Sequence, residues 1–224
     1  MENYYKRKVI ETIVSDIHKN YETLADILET EYGFPALDPL RYEICLCLLC
    51  GFNQAAITLT NHFLESALKK FLILLESSPK AMGKCNISST FKDATGKYAG
   101  MNLNEVINTA YDCGLIDNQE VDMLHYYRKE YRNPYSHANP KQMFSNRPIP
   151  IRLVHIDEIE SVDDFYKFFE GPNAEVNPQE FLPIQGIFDV LKSDSCSKDY
   201  FFKVDEIIRN IIIRIQENKD ERMF

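Results

Sequence analysis

The chain has no long apolar run, no phosphate-cradling glycine loop and no Glu-x-x-His pair, and each absence removes a class of function. Its longest apolar stretch, Ile44 to Phe52 with Gly51 inside it, is far short of the ~20 residues that cross a membrane. Without a glycine loop a nucleotide triphosphatase is not expected. Without Glu-x-x-His the di-iron helical bundles are excluded. No repeat and no low-complexity tract interrupts it. The opening residues, Met1 to Lys8, lead into alternating apolar and charged positions rather than a secretory apolar core, so a cytoplasmic protein is expected. The six cysteines are then read as reduced thiols. Cys45-x-Cys47-x-x-Cys50 has a metal-like look, but on a helix Cys45 and Cys47 point about 200° apart, and their neighbours are Ile and Leu. They read as small buried hydrophobes, and no metal or other cofactor is expected.

What the chain does have is helical periodicity. Of its 224 residues, 45% are apolar and 26% charged, ordinary for a globular protein. From Glu2 to about Glu29, apolar residues recur at three- and four-residue steps, predicting an amphipathic helix that stops before Gly33 and Pro35. Asp38-Pro39 predicts an N-cap with proline at the first helical position, opening a helix to Cys50. Gly51-Phe52-Asn53 is a break, after which Asn53 is expected to cap a helix reaching Glu76. Residues 77 to 101 read as a loop with room for one short helix. Asn102-x-x-Glu105 and Asp117-x-x-Glu120 are capping boxes, for helices to Cys113 and to at least Arg132. The fold class expected is all-α, with a helical bundle over residues 1–138.

Beyond Ala138 the texture changes. Pro140, Pro148, Pro150, Pro172, Pro178 and Pro183 separate short pieces, among them a brief strand at Ile151–Ile156 and a short helix from Ser161 to Phe169. The tail from Lys198 to Glu217 predicts a firm helix with Ile207, Ile208, Ile211, Ile212 and Ile215 on one face. Residues 139–224 are therefore expected to be a mostly helical C-terminal extension of unassigned role.

Charge is distributed unevenly. The chain carries a net −9, yet between Met123 and Ile156 six cations (Arg128, Lys129, Arg132, Lys141, Arg147, Arg152) face one anion, Glu130. His125, His137 and His155 fall in the same window. A basic island on an acidic chain suits a confined phosphate site better than a general nucleic-acid coat.

Inside that island stands Arg132-Asn133-Pro134-Tyr135-Ser136-His137, an Arg followed by Asn, with a His five positions after the Arg. The segment ends a helix in an all-helical chain. It resembles the Arg-x4–6-His signature of the HEPN superfamily, including the polar residue that often follows the Arg. Upstream, Leu48-Leu49-Cys50-Gly51-Phe52-Asn53-Gln54-Ala55-Ala56 and Phe63-Leu64-Glu65-Ser66-Ala67-Leu68-Lys69 are similar to that superfamily's paired helices. The resemblance covers roughly residues 39 to 138; residues 139–224 carry none.

This resemblance implies a metal-independent endoribonuclease of the toxin or phage-defence kind, acting as a homodimer whose two motifs line one cleft. His137 would exchange protons with the ribose 2′-hydroxyl or the leaving oxygen. Arg132 would stabilise the charge building at phosphorus, Asn133 would hold the geometry, and a 2′,3′-cyclic phosphate would result. Arg128, Lys129 and Tyr135 are the expected substrate-binding residues. His62 and Glu65, three residues apart on one helix, are lesser candidates. Tyr127, Tyr131 and Tyr135 supply ring area for the dimer contact. RNA is the expected partner, with a protein antitoxin or regulator, and no membrane. On a straight helix Arg132 and His137 are about 140° apart, so Pro134 is expected to bend the chain there and to push Asn133 out of helical geometry. Two alternatives stay open: that Arg132 and His137 simply satisfy carbonyls at a helix end, or that the fold is a non-catalytic module that partners a nucleotidyltransferase or another protein. The complete Arg-Asn…His set favours the enzyme, because a module without chemistry has no need of it.

Overall fold

The computed structural model describes residues 2–77, 87–133, 141, 144, 146–151, 174–180 and 182–220. Seven α-helices account for most of them, and 79% of the described residues are helical. These are α1 (Glu2–Leu28), α2 (Asp38–Leu49), α3 (Asn53–Glu76), α4 (Ile87–Ala99), α5 (Leu103–Asp112), α6 (Asn118–Tyr127) and α7 (Leu182–Asp220). A π-helical turn, Arg128–Arg132, continues α6. β1 (Ile149–Ile151) pairs antiparallel with β2 (Ala174–Val176), Ile149 opposite Val176. Among the described residues no helix is long and apolar enough to cross a membrane.

α3 is the axis of the core. Its buried residues, Ala56, Ile57, Thr60, Phe63, Leu64, Ala67, Leu68, Phe71 and Leu72, form two adjoining stripes, so the helix is covered on more than one side. α7, α2, α4, α5 and the π turn all pack on it. From α7 come Tyr200, Phe201, Val204, Ile207, Ile208 and Ile211, which join Ile44, Leu48, Leu64 and Leu124 in one cluster. The C-terminal helix thus completes the core that the earlier helices begin. Each such side chain contributes about 1.5–3 kcal/mol when buried.

Local chemistry sets the helix ends. Both expected capping boxes form: Asn102 accepts from Glu105 N–H, Asp117 accepts from Glu120 N–H, and each glutamate returns the bond. Gly114, at φ +72°, turns the chain after α5. Two caps form differently from expectation. Asp38 makes no cap for α2; its carboxylate accepts instead from the backbone N–H groups of Tyr32 and Phe34, at 2.9 and 2.7 Å, folding the preceding loop. Asn53 does not cap α3. Its amide bridges to Asp194 (3.0 Å) and accepts from Ser197 (2.7 Å), tying α3 to α7. Asp38 thus binds the loop just before its helix and Asn53 a distant helix.

Other boundaries differ as well. α4 is a 13-residue helix in the stretch read as a loop with room for one short helix, so it is longer than expected. α7 begins at Leu182, not Lys198, and spans 39 residues. Its first part carries Gly186 and Ser193, Ser195 and Ser197, which blur the periodicity. The strand starts at Ile149, two residues early. Positions 152–156 and the expected helix at 161–169 lie outside the described residues.

Candidate functional site

The basic segment is positioned from three directions. Asp117 and Glu120 fix the start of α6, and Arg214 of α7 grips Glu120 with both forks, Nη1 to Oε2 at 2.6 Å and Nη2 to Oε1 at 3.0 Å. The same guanidinium donates to the Leu115 carbonyl at 2.9 Å. Glu120 therefore serves both the capping box and a largely buried bidentate pair, which locks the α6 entry to α7. Leu124 and Tyr127 then bury the inner face of α6.

At Arg128 the hydrogen-bond register changes. The Asn133 N–H bonds to the Arg128 carbonyl, five residues back, and residues 128–132 form one wide π turn. Such turns are rare and recur at functional sites. Asn133 keeps helical angles, φ −64° and ψ −48°, at the end of this turn; the bend expected at Pro134 lies outside the described residues. The expectation that Asn133 would leave helical geometry is thus corrected.

Three tyrosines anchor the turn from beneath. The Tyr131 ring lies 5.7 Å from Tyr127 and 4.9 Å from Tyr200, and Tyr127 lies 4.9 Å from Tyr200. Tyr200 is fully buried and donates to Asn61 Oδ1 at 2.8 Å. Burial raises the pKa of all three phenols, that of Tyr127 to about 12, so they stay neutral. Tyr127 is 5% exposed within a single chain, so it cannot supply dimer contact area as expected. Of these neighbouring rings Tyr126 is the exposed one, at 55%.

Outward from this anchor stand the cations. Lys129 is exposed, while Arg128, Arg132 and Asn133 are half-buried. The Arg128 Nε is sheltered from solvent without a hydrogen-bond partner among the described residues. Arg128, Lys129, Arg132 and Asn133 thus share a single helical turn. Tyr135 and His137 lie outside the described residues.

The remaining sequence candidates sit elsewhere. His62 is exposed on α3, and Glu65 pairs with Lys69 at 2.8 Å. Cys45 is buried in the core, and burial pushes its thiol up to about 11. A cavity of about 610 Å³, lined by Leu28, Thr30, Pro39, Arg41 and Cys45 among others, belongs to the α1–α2 junction and not to the basic turn.

Two arrangements escaped the sequence reading. His125 Nε2 meets Asn108 Oδ1 at 2.9 Å, joining α6 to α5. Arg41 and Asp205, both at least nine-tenths buried, pair at 2.6 Å beneath Tyr32. Neither partner in either pair is signalled by spacing along the chain. No protein-family model matches this sequence, and neither a curated protein nor a solved structure matches it.

Proposed function

We propose that the protein is a metal-independent endoribonuclease of the HEPN type, cleaving RNA by attack of a ribose 2′-hydroxyl on the adjacent phosphorus. The observation that carries this reading is the π-helical turn Arg128–Arg132, which bears Arg128, Lys129 and Arg132 and is capped by Asn133, four residues before His137 in the sequence of a chain whose net charge is −9. An Arg fork holds a phosphate bidentately and stays charged throughout the reaction. His137 is the acid–base group of the motif, and Asn133 orients the phosphate. Arg128, Lys129 and Tyr135 hold the flanking backbone and base.

The working unit is a homodimer that brings two motifs to one cleft, and it acts in the cytoplasm under control of a protein antitoxin or regulator. Purified protein incubated with total RNA should cut it equally well with and without EDTA. RNA methylated at the 2′-oxygen should resist, because that oxygen is the nucleophile. Absence of cleavage under all conditions would favour the non-catalytic module, in which the basic turn only binds.

A further inference from the structure

The homodimer invoked above needs a surface, and Tyr127, expected to supply part of it, is buried. α1 offers one instead. It is a single 27-residue helix, about 40 Å long, and the rest of the chain covers mainly its second half. There Leu24 is fully buried, and Asn20 donates to the Leu48 carbonyl at 2.9 Å and accepts from Lys198 Nζ at 2.6 Å. Asp16 lies beside Gly51, at the tip of the α2–α3 hairpin. N-terminal to it the helix runs on past the bundle, and every residue from Tyr4 to Thr12 is exposed. The apolar stripe does not stop where the cover stops. Ile10, Val14, Ile17 and Tyr21 follow one another at steps of four, three and four, on one flank of the helix. Ile10, Val14 and Tyr21 are 52%, 45% and 50% exposed. A contiguous uncovered stripe of this kind marks an interface.

We propose that this stripe binds the same stripe of a second copy, the two α1 helices crossing antiparallel with their two-fold axis near Val14. Charge selects both the occupant and its direction. Lys6, Arg7 and Lys8 are the charged residues of positions 4–10, whereas positions 15–29 hold Asp16, Glu22, Asp26 and Glu29 against Lys19. One half of the helix is thus +3 and the other −3. An antiparallel copy lays each half beside its opposite, and a parallel copy lays like beside like. An anionic lipid surface would be repelled by the acidic half. In the pair Val14 meets its own counterpart, and Ile10 meets Ile17 of the partner subunit. Residues 6–21 then overlap along about 24 Å of helix.

The pairing rests on the ribonuclease reading for its purpose and on α1 for its evidence. The basic turn lies at the end of the bundle from which α1 projects. α6 begins where Glu120 meets Asn210 and Arg214, and by Tyr131 the chain has come level with Tyr200, 4.9 Å away. Asn53, at the hairpin tip, bonds to Asp194 and Ser197, just before Tyr200 on α7. Two bundles joined by their projecting helices therefore meet through the ends that carry the turns, as a composite site requires.

Sedimentation equilibrium of wild type and Val14→Asp tests the pairing, together with diamide oxidation of Val14→Cys and Ser15→Cys. Both positions are exposed, so circular dichroism should be unchanged in each variant. Wild type should be a dimer. Val14→Asp sets two carboxylates against each other at the axis, and its dissociation constant should rise by at least ~100-fold. Val14→Cys should give a covalent dimer whose cross-link maps to residue 14. Ser15→Cys, which points off the stripe, should give none at residue 15. Val14→Asp that dimerises as wild type does overturns the proposal and leaves a composite site to some other interface. A wild type that stays monomeric throughout the micromolar range overturns it as well, as does the absence of a residue-14 cross-link. Should Val14→Asp not fold, the cross-link decides. Cleavage of a defined RNA is measured separately: wild type that pairs through Val14 and cuts no RNA keeps the pairing and ends the ribonuclease reading.

Discussion

In the proposed reaction Arg132 has a different task from the neighbouring cations. Lys129 stands exposed on the same turn and can supply charge, but an ammonium offers no planar fork to a phosphate. Arg132→Lys keeps the charge and loses the bidentate geometry, so kcat/KM should fall about 100-fold, with circular dichroism unchanged. Retention of wild-type activity in that variant would leave Arg132 as a helix-end residue only. At this scale the sequence exposes whatever is contiguous. Arg132, Asn133 and His137 stand within six positions, so the motif is readable by eye. The contact from His125 to Asn108 joins helices 17 residues apart, and no spacing rule links them. Tyr127 and Tyr131 were visible as rings, but their partner Tyr200 lies on α7, so a core cluster was read as a surface for dimer contact.

α7 is held to the α1–α2 junction by a buried charge cluster that governs stability more than any surface pair. Asp205 accepts from Arg41 Nε (2.6 Å), Arg209 Nε (2.8 Å) and the Tyr32 hydroxyl (2.5 Å), while the guanidinium planes of Arg41 and Arg209 lie over the Tyr32 ring. Asp205→Ala strands the Arg41 charge inside, and urea unfolding should show a loss of about 3–5 kcal/mol. Arg7→Ala, which breaks an exposed Arg7–Glu11 pair, should cost less than ~0.5 kcal/mol in the same assay. Gly51 closes α2 at φ +73°, with Asp16 Oδ2 only 2.8 Å from where a Cβ would sit, so Gly51→Ala should destabilise by about 1–2 kcal/mol. Among the elements, α1, α2, α3, α5 and α6 were readable because apolar spacing and caps are local signals. α4 and the first part of α7 were not, because Gly, Ser and Lys weaken their periodicity and packing supplies what propensity lacks. Asp38 and Asn53 depart from expectation for a related reason: a good cap residue is also a good partner for the preceding loop or for a distant helix.

The chain carries a net −9, so the proposed RNA substrate would be attracted at the basic turn and repelled elsewhere. Three cations there, Arg128, Lys129 and Arg132, neutralise about three phosphates, and single-strand binding should fall with salt at a log–log slope of about −2. A composite site built from two chains doubles that to about −4. Fluorescence titration of uncleavable 2′-O-methyl RNA at several salt concentrations separates the two. Light scattering at micromolar concentration should find twice the 26.1 kDa chain mass; a lone monomer with the shallow slope would end the composite-site idea. The proposed chemistry rests finally on His137, which the sequence places next to the anchored cations. The most direct measurement is the rate of cleavage of one defined RNA by wild type and by His137→Ala, each in EDTA, with the product termini identified. Wild type should leave a 2′,3′-cyclic phosphate, and His137→Ala should be slower by at least ~100-fold. Equal rates in the two proteins would contradict the ribonuclease assignment.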